Sequence, residues 1–103
     1  MSRAYDAEMD AAMARMMKDM HAAQPSGNPD IDFLAMMIPH HAGAVDMARA
    51  LLRHGRDAAT RRLAEDIIAS QTTEIEGMRR RLAALRQPGR GPEYPALGGT
   101  RGS

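Results

Sequence analysis

Apolar positions recur at three- and four-residue spacing through three long stretches of the chain, and a turn signal separates each stretch from the next. The first stretch covers about 2–23. Advancing 100° per residue, Met9, Met13, Met16, Met17 and Met20 fall within an arc about 100° wide, with His21 at its edge. The turn cluster QPSGNP at 24–29 ends it. The second stretch opens near Asn28–Asp30, with Pro29 suited to a first helical position and acids in the first turn. It closes at RHG, where Arg53 and His54 suit the negative end of a helix and Gly55 suits the position after it. Its apolar face centres on Phe33, Met37, Ala44, Ala48 and Leu51, with His41 on one shoulder and Met36, His40 and Met47 on the other. Asp46, Arg49 and Arg53 lie opposite, where solvent is expected. The third stretch takes Asp57 as N-cap and runs to about 86, before Pro88. Leu63, Ile67, Met78, Leu82 and Leu85 line one of its faces, and Gln71 and Glu74 fall inside that face.

Short turns between long helices predict antiparallel neighbours. The expected fold is therefore all-α: an antiparallel bundle of three long helices over 1–87, followed at 88–103 by a flexible tail rich in Gly and Pro. Asp57 with Arg61, Arg61 with Glu65, and Glu76 with Arg80 are spaced i, i+4 and are expected as outer-face pairs worth roughly a few tenths of a kcal/mol each. Three helices lack the fourth that would close a bundle, and a homodimer would cover the open side.

Length and charge narrow the function classes. A chain of 103 residues suits one small domain with a small core. A net charge of +1 gives no strong pull toward nucleic acid, and the Arg61–Arg62 and Arg79–Arg81 runs read as solvated helix faces. No apolar run reaches the roughly 20 residues of a membrane span. The opening MSRAYDAEMD shows no basic region followed by an apolar one, so no signal peptide is visible in this chain. The absence of Cys excludes disulfides, cysteine-ligated iron–sulfur clusters and thiolate zinc sites.

The ten Met residues change the picture more than the charge does. A Met stripe on a helix is ordinarily core, because Met fills irregular gaps. Yet residues 1–24 contain no Leu, Ile, Val or Phe, although Leu specifies a bundle core better than flexible Met. The stretch MMIPHH at 36–41 adds two imidazoles and a proline to two thioethers. Pro39 inside a helix removes a hydrogen bond and costs about 3 kcal/mol; it is read either as a kink that fits the bundle or as a device that re-aims the histidines. Met37 and His41 are spaced i, i+4, Met37 and His40 i, i+3, and His40 and Met47 i, i+7, so each pair shares a side of the helix. The two histidines flank the core face and serve one broad site or two separate ones. Glu74 is costly to bury unpaired, which leaves it at a rim, bonded to a histidine, or in the site itself.

Residues 30–78 closely resemble the DUF305 family. The likeness is carried by MIPHH (37–41), the A-x-x-M step from Ala44 to Met47, and the Q-x-x-E-I-x-x-M run from Gln71 to Met78. The upstream Met-rich helix and the SGNPDIDF turn extend it to about 13–85. The resemblance implies a ferritin-like or four-helix-bundle arrangement, export to the periplasm or beyond, and, in some members, copper binding in copper tolerance. Met37, His40, His41, Met47, Glu74 and Met78 match the pattern directly. Met13, Met16, Met17, Met20 and His21 fit its Met/His-rich first helix, where ligand positions are less fixed.

Thioether sulfur is soft and uncharged, so it favours Cu(I), and also Ag(I), over zinc, magnesium or calcium, while imidazole accepts both Cu(I) and Cu(II). The expected function is copper sequestration or transfer through Met and His. The rival is a non-enzymatic helical interaction module whose Met surface contacts a protein partner. Catalysis is not expected: there is no nucleophile–base arrangement. No Glu has a His three residues later, as a di-iron centre would need, and H-E-x-x-H is absent.

Overall fold

The computed structural model describes residues 3–87, and these are helix and tight turn throughout. Helix α1 spans Arg3–Ala22, α2 spans Pro29–His54 and α3 spans Ala58–Leu85. The all-α, three-helix expectation matches this architecture. The tail expected at 88–103 lies outside the described residues.

The helix ends are set locally. The Asn28 side chain accepts from the backbone N–H of Asp30 and Ile31, which start α2 behind Pro29. Asp32 reaches back to accept from both the N–H and the hydroxyl of Ser26, which ties the turn to the helix. Those two bonds hold the Asp32 carboxyl below its usual range. Gly27 takes the left-handed conformation at φ 88° that the turn needs, where a side chain would be strained. Asp57 caps α3 by accepting from the Thr60 N–H and hydroxyl. Gly55 does not adopt the left-handed conformation expected after α2. It is extended, at φ −78°, and its N–H donates to the Leu51 carbonyl at 2.6 Å. A Cβ there would lie 2.8 Å from that oxygen, so close approach is what requires glycine. Arg61 makes two bonds other than the expected pairs, donating to the Leu52 and Gly55 carbonyls and sealing the end of α2.

α2 is the central element. It packs against α1 on one flank and α3 on the other, and no residue of α1 comes within 8 Å of α3 between Cα atoms. Both packings are antiparallel, as expected. Glu8 meets His54, Arg15 meets Asp46 and Met16 lies over Gly43 along α1–α2. Arg61 meets Leu52 and Glu74 meets His41 along α2–α3. Arg53, expected in solvent, is exposed and also pairs with Glu8 of α1, whereas Asp46, expected there too, is half-buried against Arg15. The buried side chains are mostly small: Ala12, Val45, Ala48, Ala50, Ala64, Ile75 and Leu82. Small residues let helix axes approach closely. Gly43 shows this most directly, since a Cβ built on it would lie 2.5 Å from the Met16 sulfur and 3.1 Å from the Met16 Cβ.

The flanks of α2 that meet α1 and α3 lie roughly half a turn apart around its axis. The three helices therefore form an open layer with two faces. One carries Arg15, Asp46, Arg49 and Arg53 at one end, and at the other a trough where Asp19, Arg79 and Arg86 rim an apolar floor that includes Ala35, Ile38, Pro39 and Leu82. The opposite face is largely apolar, with Asp30 and Arg81 beside Phe33 at one end and Glu74 at its rim. Helical geometry places Met13 and Met17 of α1, Phe33 and Met36 of α2, and Leu63 and Ile67 of α3 on it, and these are the large apolar side chains left exposed. Phe33, Leu63 and Ile67, expected in the core, are thus corrected to the surface: Phe33 is 61% exposed and Leu63 62%. The stripe on each helix was read correctly as apolar, but its neighbour is missing.

Two outcomes follow for stability. Gly43→Ala should destabilise the fold by about 1–3 kcal/mol, because the whole Met16 side chain must shift; an unchanged denaturant midpoint would show that the α1–α2 approach is slack. At the far end of the same seam, Glu8 accepts from His54 and Arg53, and the His54 bond first, then the Arg53 bond, holds its carboxyl below the ordinary value of 4.5. A depressed carboxyl contributes stability that is present above its unfolded value and is lost as pH falls toward the folded one. Melting temperature should accordingly fall more steeply on acidification below about pH 5 in the native chain than in Glu8→Gln; parallel curves would contradict it.

Candidate metal-binding face

The MMIPHH stretch sits in mid-helix. α2 runs on through Pro39 without a break. Proline has no N–H to offer the carbonyl one turn earlier, that of Ala35, and both residues line the trough rimmed by Asp19, Arg79 and Arg86. The proline thus spends its disruption on one side of α2, while His40, Ala44 and Met47 look out from the other.

His41 is the most constrained of the candidate donors. Its side chain is 15% exposed, at the α2–α3 seam. Nδ1 lies 3.0 Å from the Met37 carbonyl oxygen and Nε2 lies 2.9 Å from a Glu74 carboxylate oxygen. Both partners are acceptors. A neutral imidazole carries one N–H and satisfies one of them, whereas the doubly protonated ring satisfies both. A metal at Nε2 takes the place of that proton, and Glu74, 54% exposed, has room to swing aside or to join the ion. Of the positions expected for Glu74, the structure gives both a rim position and a bond to a histidine. The neighbouring His40 is exposed, and its ring centroid lies 6.1 Å from that of His41 with the planes tilted by 59°.

The remaining candidates share the apolar face but divide between its two seams. By the register of α1 on α2, Met20 stands level with His40, Met13 with Met47, and Met16 with Gly43. By the register of α3 on α2, Met78 stands level with Met37, one turn from the His41–Glu74 pair. Met13 and Met17 are exposed and Met16, Met20, Met37, Met47 and Met78 half-buried. His21 is exposed at the C-terminal end of α1, at the margin of the face. So the structure gathers Met13, Met16, Met20, His40 and Met47 along one seam and Met37, His41, Glu74 and Met78 along the other. Met17 and His21 stay at the outer edge. Among the described residues, no three of His, Cys, Asp and Glu come together as a metal-binding group.

Sequence reasoning missed one cluster of charged and aromatic side chains. His54, read as a helix-end cation, lies 2.6 Å from Glu8 and packs edge-on against Tyr5 at 6.1 Å between centroids. These contacts join residues more than forty positions apart, and no local spacing signals them. The cluster ties the N-terminal end of α1 to the C-terminal end of α2, away from the Met/His rows.

The family model described as a domain of unknown function, DUF305, matches residues 1–82. An uncharacterized protein of Acanthamoeba polyphaga mimivirus is 41% identical over 49 residues, which are 48% of this chain and 32% of that protein. The matched segment is therefore about a third of the length of that relative.

The His41 geometry gives a direct check. In Glu74→Gln the amide donates to Nε2, so the neutral ring should carry its proton on Nδ1, facing the Met37 carbonyl. Imidazole nitrogen shifts recorded at alkaline pH should report that tautomer; the Nε2–H tautomer would show that Met37 does not hold the ring.

Proposed function

The chain belongs to the DUF305 family, and from that premise we propose that it binds copper, chiefly as Cu(I), and sequesters it or hands it on. The observation that carries the reading is the placement of the donors. Thioethers and imidazoles line both seams of one face, while most of the charged side chains sit elsewhere. Packing alone does not require this, because the buried positions are filled by Ala, Val, Ile and Leu. The donor set fits a soft ion: Met sulfur prefers Cu(I) or Ag(I), and imidazole retains the ion through a change of oxidation state.

Each donor has a role on this reading. His40 presents an exposed imidazole beside Met20 and Met47. His41 is oriented through Nδ1 and offers Nε2 once its proton leaves, with Glu74 as orienting group or direct ligand. Met37 and Met78 supply sulfur at the second seam, and Met13 and Met16 at the first. Met17 and His21 are outer donors, placed to receive or release an ion. The role is binding, not catalysis. Thioethers do not enter thiol–disulfide exchange, which suits an oxidising compartment such as the periplasm or the exterior, and the family resemblance points the same way. No helix among the described residues is long and apolar enough to cross a membrane.

A second reading has its own support. Phe33, Leu63 and Ile67 are exposed without being donors, so the same face suits contact with another protein. Metal dependence separates the two. A ligand that binds only the folded state raises the melting temperature, by an amount that grows with the logarithm of its concentration over its Kd.

Anaerobic titration with Cu(I) against a chromogenic chelator should show tight, saturable binding. His40→Ala with His41→Ala should weaken it by about tenfold or more, and affinity should fall as pH drops, since a protonated imidazole cannot ligate. Met37→Leu with Met47→Leu keeps apolar volume and should also weaken binding. Unchanged affinity in all variants would remove these residues from the site, and no competition with a weak chelator would favour the contact reading.

A further inference from the structure

We infer that the apolar face is an interface with a second copy of this chain, packed with α2 antiparallel to α2, and that each copy completes the other's soft-donor row. The second clause rests on the copper reading; the first does not.

Three observations identify the occupant. The first is area. Helices of 20, 26 and 28 residues, side by side at the usual 8–10 Å spacing, present a face of about 900 Å². Doubled, this is the size of a stable interface.

The second observation is self-complementarity, which a two-fold interface requires. On α2 the outward positions are symmetric about residue 42: Phe33 mirrors Leu51, Met37 mirrors Met47 and His40 mirrors Ala44. Antiparallel packing about that point sets Phe33 over the partner's Leu51 and His40 over the partner's Ala44, the second a large side chain against a small one. A parallel arrangement would set Phe33 on the partner's Phe33 and His40 on the partner's His40, and would align the helix dipoles unfavourably.

The third observation comes from α1. Met16 lies over Gly43 and Arg15 pairs with Asp46, and between these two registers the same axis falls at the level of Lys18, midway between Met16 and Met20. The two-fold therefore brings the partner's Met20 level with Met16 and the partner's Met16 level with Met20. Four thioethers then flank the axis, with a His40 at either side. One copy alone leaves these donors on an open surface.

Sedimentation equilibrium of the chain held metal-free with a chelator tests the surface by itself. The expected mass is twice that of the chain, and a monomer throughout the micromolar range would overturn the interface. Phe33→Glu changes an exposed side chain and should yield a monomer of native helicity; a dimer would overturn the placement of the interface. Phe33→Cys with Leu51→Cys tests the orientation, since these positions are about 27 Å apart within one helix and cannot bridge inside a chain. Oxidation should give a covalent dimer that neither single variant gives, and its absence from a sedimenting dimer would overturn the antiparallel packing. Binding of metal-free monomer to lipid vesicles would assign the face to a membrane surface and reject the second copy. The Phe33→Glu monomer should bind Cu(I) about tenfold or more weakly than the native chain; unchanged affinity would overturn the shared row. A native dimer that binds no copper would reject the copper reading and leave the interface standing.

Discussion

α2 is held along both flanks and left open along the strip between them, and the molecule's other features depend on that arrangement. Gly43 and the small residues Ala12 and Ala50 bring α1 close on one side, while Ala48, Ala64 and Ile75 are buried in the packing of α2 with α3. Two helices packed roughly half a turn apart around a third cannot touch each other. The result is a layer, whose apolar strip faces outward with no helix among the described residues to cover it.

That geometry explains why Met stands in place of Leu along α1 and flanks the histidines of α2. In a closed core a branched side chain specifies packing better. On a surface that must bind an ion, or adapt to a partner, a flexible and polarizable side chain is more useful. The histidines follow the same logic. His41 is fixed at a seam between a carbonyl and a carboxylate, whereas His40 stands free of those partners on the open strip. One imidazole is oriented and the other is available, and they are adjacent in sequence because successive residues on a helix point about 100° apart.

Much of the fold was legible in the sequence because helix boundaries are local. Asn28, Pro29, Gly27 and Asp57 act at the positions their side chains favour. The apolar stripes were legible too, and a bond from Glu74 to a histidine was one of the three positions its burial cost left open. What could not be read was which part of each stripe finds a neighbour. Ala12, Gly43 and Ala50 make the α1–α2 seam without a strong hydrophobic signal, so the larger Phe33, Leu63 and Ile67 were taken for core. The pairs Arg15–Asp46 and Glu8–His54 depend on the register between helices, which no spacing along one helix reveals. The division of the donors into two seams depends on that same register.

X-ray absorption at the copper edge of the Cu(I)-loaded protein tests the central claim most directly, because it reports which atoms touch the ion. Mixed sulfur and nitrogen scattering, with no thiolate available in a chain without Cys, would place Met and His together in the first shell. A shell of nitrogen and oxygen alone would contradict the claim and return the methionines to packing.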